Sequence, residues 1–85
     1  MSISYHWRWK EELVGSFRGH EFVVEMTMGR SHVYFPTESK WVAKSPNWAA
    51  GMYGSALSGA SAWCEENGIP LTVDERAWVE FSALD

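Results

Sequence analysis

The sequence contains little cysteine and no long apolar run. Its one cysteine, Cys64, excludes an internal disulfide, so an apolar core must hold the chain together. No apolar segment approaches the ~20 residues that a membrane-spanning helix needs. The first ten residues, MSISYHWRWK, lack the apolar stretch of a signal peptide. These absences predict a protein of the reducing cytoplasm that does not associate with membranes.

Motifs of enzymes and metal sites are also missing. There is no CxxC, HExxH, G-x-S-x-G, G-x-G-x-x-G or phosphate-binding loop. The histidines, His6, His20 and His32, lack the close pairing of zinc ligands. Cys64 lies inside a predicted helix and is interpreted as a buried hydrophobic residue. We therefore expect no enzymatic activity, no metal and no cofactor, although a catalytic pair of carboxylates in a cleft stays open as an alternative.

Positive charge is scarce in the second half of the chain. Residues 45–85 carry one basic residue, Arg76, against six acidic residues, which gives a net charge of −5. Residues 1–44 carry six basic against five acidic residues, which gives +1. An acidic patch is therefore predicted in the C-terminal half, where it favours a basic partner.

Tryptophan, in contrast, is abundant for a chain of 85 residues. The length allows one domain, residues 1–85, with one modest core. Each large aromatic ring buries roughly 150–250 Å², so this core is too small for all six tryptophans. Surplus ring surface is expected to contact another molecule. We expect Trp7 and Trp63 to be buried against each other between sheet and helix, and Trp78 to be the most exposed.

The longest predicted element is a helix over residues 45–68. A Ser-Pro pair is typical of a helix start and Asn-Gly of a helix end, and apolar residues recur every three or four positions between them. Gly51, Gly54 and Gly59 leave two alternatives, because glycine weakens a helix. Either the helix is kinked or broken near Gly54, or its small face lets the backbone of the sheet or of a partner approach closely.

Alternating apolar and polar residues predict strands on both sides of this helix. Before it, strands are predicted over residues 2–9, 21–28, 31–35 and 40–44. Gly29-Arg30 is interpreted as the turn of a hairpin, and residues 13–19 as a loop or a short extra strand.

The end of the chain fits two structures. Residues 69–73 are predicted to be extended. A capping-box pattern at residues 72–75 favours a helix that includes Leu84, whereas the alternation of residues 77–81 favours a strand, with residues 74–76 as the preceding turn. We favour the strand. The fold predicted from these elements is α+β, an antiparallel sheet of three to five strands with one long helix packed on one face.

Two binding functions follow from the first strand and from the acidic half. Residues 5–10, YHWRWK, interleave aromatic and basic residues, as single-stranded nucleic-acid binding proteins do. However, a strand sends rings and cations to opposite faces, and the whole chain is acidic, so nucleic acid is disfavoured as a partner.

Residues 17–22, FRGHEF, resemble the same region of cloacin-type ribonuclease immunity proteins. The resemblance covers six residues, and those families lack so long a helix. It implies a small acidic protein that neutralises a basic enzyme.

We therefore expect a small protein-interaction module, of the inhibitor, immunity or regulatory kind, with a protein partner that is basic. Aromatic anchors and acidic residues predict partner-binding residues at Glu65, Glu66, Trp78 and Glu80. A homodimer formed through exposed tryptophans and a hairpin edge is a further alternative.

Overall fold

A computed structural model describes residues 3–8, 11–27 and 29–82. The architecture is α+β, with a mixed six-stranded sheet and two helices. The elements, in chain order, are β1 (Ser4–Arg8), β2 (Glu12–Phe17), β3 (His20–Thr27), β4 (His32–Phe35), α1 (Glu38–Lys44), α2 (Tyr53–Glu66), β5 (Leu71–Val73) and β6 (Val79–Phe81). Ser2, Trp9, Met28 and Leu84, which the sequence analysis assigned to elements, lie outside the described residues, as does Lys10 of the YHWRWK segment.

The sheet follows the order β1-β2-β3-β4-β5, and β6 pairs with β3 beside β4. The predicted antiparallel arrangement holds for β1–β2, β2–β3, β3–β4 and β3–β6. It is wrong for β4–β5, which is parallel. The reason is that both helices lie between these two strands in the chain, and such a crossover returns the chain in the same direction.

The strand predicted over residues 40–44 is wrong, because these residues belong to α1. Thr37 is the N-cap, and its side chain accepts a hydrogen bond from the Lys40 amide at 3.3 Å. Glu38 in the first turn and Lys44 in the last have the charges that the helix dipole favours. Five residues, with three apolar ones in a row, are too few to separate a strand from a short helix.

The predicted helix start at Ser45 is also wrong, because α1 ends there. Ser45 ends α1 as its C-cap, and its amide donates a hydrogen bond to the Trp41 carbonyl oxygen at 2.8 Å. Turns follow over residues 47–51, and α2 begins at Tyr53. One predicted helix is therefore two helices separated by turns, and the second begins beside Gly54, where the sequence indicated a break.

Close approach to α2, the second alternative for its glycines, occurs at Gly59. A Cβ atom there would lie 2.9 Å from the ring of Tyr5, whereas at Gly51 or Gly54 it would meet open space. The Tyr5 hydroxyl, in turn, donates a hydrogen bond to the Ala56 carbonyl oxygen at 2.6 Å. Close approach is therefore limited to Gly59, which admits a tyrosine side chain of β1, whereas Gly51 and Gly54 face open space.

The two ambiguous segments are strands. Residues 13–19 form most of β2 and a two-residue turn, in which Arg18 and Gly19 have φ values of 52° and 84°. At the end of the chain, the Asp74 carboxylate accepts a hydrogen bond from the Arg76 amide at 2.8 Å. This bond makes residues 74–76 a turn that leads into β6, as favoured, so the capping-box helix is wrong.

Trp41 fills the core between the sheet and the two helices. It is fully buried, lies edge-on to Phe22 at 5.0 Å between ring centroids, and stacks on Phe35 at 5.9 Å. Its Nε1 donates a hydrogen bond to the Ala49 carbonyl oxygen at 2.8 Å. The indole therefore joins α1, the turns before α2 and the sheet on one side. On the opposite side of the sheet, the described part of the chain places no helix.

Candidate functional site

The open face of the sheet, which lies opposite the helices, is the candidate site. Leu13, Phe22 and Val24 belong to the core, so the residues that alternate with them point to the open face. All acidic and basic residues of the described strands lie there: Arg8, Glu12, Glu21, Glu25 and Glu80. One basic residue against four acidic residues gives these strands a net charge of −3 on the open face.

Arg8 already has acidic neighbours. Its Nε lies 3.0 Å from the Glu12 carboxylate, and its Nη1 lies 3.7 Å from the Glu21 carboxylate. These partners neutralise the guanidinium and hold it across β1, β2 and β3. The described strands of the open face keep a net charge of −3 with Arg8 included.

Two valines are buried in the middle of the open face. Val14 and Val23 lie opposite each other in register and are 0% and 8% exposed, although no helix covers them. The aliphatic surface of these two valines is therefore not accessible on this face.

Two shallow depressions meet at Glu25. The first has a volume of about 320 Å³ and is lined by Glu11, Glu25, Met26, Thr27 and Trp78. The second has a volume of about 550 Å³ and is lined by Glu25, Thr27, Tyr34, Asp74, Arg76 and Ala77. In the described part of the chain, no ion pair or hydrogen bond occupies the side-chain carboxylate of Glu25. Glu25 therefore lies between two depressions that an indole and a phenol ring help to line, and Arg76 also lines the second of them.

Tyr34 is fixed in its place beside the second depression. Its ring stacks on His32 with centroids 4.3 Å apart and planes at 16°. Nε2 of His32 lies 2.8 Å from the Thr72 hydroxyl, which belongs to the neighbouring strand. The stacked pair thus forms a wall on β4, in which His32 joins Tyr34 to the neighbouring strand.

The structure separates the four predicted partner-binding residues into two groups. Glu80 points to the open face, because Val79 and Phe81 on either side of it pack with the core. Trp78 lines the first depression at Glu25. Glu65 and Glu66 are exposed at the C-terminal end of α2, on the helix side of the sheet. One flat surface does not include both groups.

Sequence reasoning missed Glu25, Glu12 and Glu21 as site residues. The signal was present, because the alternation of β3 already places Glu21 and Glu25 opposite the apolar stripe. It was hidden by counting charge along the chain, which gives the first half a positive sign. Pairing of β3 with β6 brings these glutamates to the same face as Glu80.

The tryptophan predictions hold in part. Trp7 and Trp63 meet edge to face with centroids 6.0 Å apart, as expected. The predicted burial of Trp7 is wrong, since this residue is 56% exposed on β1. The expectation that Trp78 is the most exposed tryptophan is also wrong, because Trp78 is half-buried. Trp7 lies in a strand that pairs only with β2 among the described strands, which explains its exposure.

The nucleophilic and metal-binding groups give no second site. Cys64 is buried, and burial raises the pKa of its thiol to about 11, which disfavours the reactive thiolate. Within residues 3–8, 11–27 and 29–82, no cluster of three or more His, Cys, Asp or Glu residues is suited to hold a metal ion. Across the same ranges, no helix is long and apolar enough to span a membrane.

Comparison of the chain with protein-family models, with curated proteins and with solved structures gives no match.

Proposed function

We propose that this protein is a protein-interaction module and that its open face binds a basic protein partner. The single observation that carries the proposal is the net charge of −3 on a sheet face that no helix covers. Complementary charge accelerates encounter and selects partners of the opposite sign. Of the predicted residues, Trp78 and Glu80 belong to this surface, together with Glu25.

The aromatic rings beside the carboxylates favour binding of a protein over non-specific binding of small counterions. Trp78 and Tyr34 line depressions on the two sides of Glu25. Aromatic side chains with restricted motion are typical anchors of interfaces. An acidic face with a central carboxylate and two flanking rings suits an inhibitor or regulator of a basic protein.

Affinity capture with matched charge variants tests this proposal. Wild-type protein, the open-face variant Glu25→Lys/Glu80→Lys and the control variant Glu65→Lys/Glu66→Lys are immobilised on separate supports and exposed to native lysate with nuclease present. Both variants change the net charge by the same amount, but on opposite sides of the sheet. Circular dichroism establishes that each variant is folded before use.

The proposal predicts that one basic protein is captured in stoichiometric amount by the wild type and by the control, and is lost from the open-face variant. Retention of that protein by Glu25→Lys/Glu80→Lys contradicts the proposal. Loss from the Glu65→Lys/Glu66→Lys variant alone would place the binding surface at the end of α2 instead.

Self-association is a second candidate, favoured by the exposure of Trp7 on β1. A strand that pairs on one side presents backbone donors and acceptors to another strand, and a two-fold axis would join two β1 strands antiparallel. Sedimentation equilibrium of the wild type and of Trp7→Ser over a wide concentration range tests this. A dimer that Trp7→Ser dissociates supports it, and a monomer mass at all concentrations contradicts it.

A further inference from the structure

We draw no further inference here: the strongest candidate, the depression of about 540 Å³ that His20, Pro46, Asn47 and Trp48 line beside the start of β3 and the turns before α2, carries none, because Nε1 of Trp48, the buried side-chain atom without a hydrogen-bond partner in the described part of the chain, is closed to solvent, and nothing in the structure shows which ligand would reach it.

Discussion

The guanidinium of Arg8 lies 3.0 Å from the carboxylate of Glu12, and this contact determines the electrostatic character of the open face. In the described strands, Arg8 is the one basic residue, and it lies among four glutamates. Its charge is shared with Glu12 and Glu21, and no ion pair among the described residues engages Glu25 or Glu80. The described strands of this face therefore keep a net charge of −3 even though β1 carries a cation of its own.

Replacing Arg8 by glutamine should accelerate binding of the captured basic partner. The change raises the net negative charge of the open face by one, and rim charges act chiefly on the association rate. We expect a rise of roughly two- to fivefold at low salt that disappears at high salt. Stopped-flow fluorescence measures it. A slower association would mean that Arg8 itself contacts the partner. The loss of a half-exposed ion pair should lower the free energy of unfolding by less than about 1 kcal/mol.

Alanine at Gly59 and alanine at Gly54 should have opposite effects on stability. At Gly59 the added Cβ would lie 2.9 Å from the ring of Tyr5, and the hydrogen bond from Tyr5 to Ala56 prevents that ring from moving away. Overpacking of this kind costs about 1–3 kcal/mol, which exceeds the gain in helix propensity. At Gly54 the Cβ meets nothing, so stability should rise by about 0.5 kcal/mol. Urea denaturation measures the free energy of unfolding of both variants. Equal changes in the two variants would contradict the packing of Tyr5 against Gly59.

The protein should lose stability as the pH rises above 9. Burial raises the pKa of Cys64 from 9.0 to about 11, and it also raises the pKa of Tyr5. Above pH 9 the folded state therefore keeps protons that the unfolded state has released. The free energy of unfolding has its full value below pH 9 and falls as the pH rises through 11. Urea denaturation between pH 7 and 11 measures this fall.

Tyr5→Phe provides the control for that pH dependence. Without the phenol hydroxyl, the decline above pH 10 should be shallower, although the variant is less stable at pH 7 because the hydrogen bond to Ala56 is lost. An unchanged slope in Tyr5→Phe would assign the alkaline loss to Cys64 and to Tyr53, whose pKa is also raised by burial.

Removing the charges at the end of α2 should stabilise the protein without affecting the partner. Glu65 and Glu66 lie in the last turn, which contains no basic residue, and negative charge is unfavourable at this end of the helix dipole. Glu65→Gln/Glu66→Gln should raise the free energy of unfolding by roughly 0.3–1 kcal/mol. Thermal unfolding measures the gain. A loss of partner binding in this variant would show that Glu65 and Glu66 belong to the binding surface.

Much of the sheet was predictable from the sequence, because alternation identifies strands that are buried on one face. The hairpin from β3 to β4 and the final strand at Val79–Phe81 were found in this way. The boundary between α1 and α2 was not, because Ser45-Pro46 is an equally good start for one helix and end for another. Which applies depends on Trp41, whose burial against Phe22 and Phe35 makes residues 38–44 helical.

The candidate site was less predictable, because it depends on how the strands pair. Trp78 and Glu80 were predicted from composition and charge, but Glu25 was not. It joins them because β3 is paired with β6 over residues 22–24 and with β4 over residues 25–27. The sequence of a strand shows which of its residues share a face. Which strands become neighbours in the sheet depends on the whole fold.

The most direct measurement of the central claim is the association rate of the captured partner with two charge-reversal variants. Stopped-flow experiments at several salt concentrations compare Glu25→Lys/Glu80→Lys with Glu65→Lys/Glu66→Lys, which has the same net charge. We predict at least a tenfold slower association for the open-face variant, strongest at low salt, and less than a twofold change for the helix variant. Equal slowing in both variants would show that only the net charge matters, and a larger effect in the helix variant would show that the partner binds at the end of α2. Either result would contradict binding at the open face.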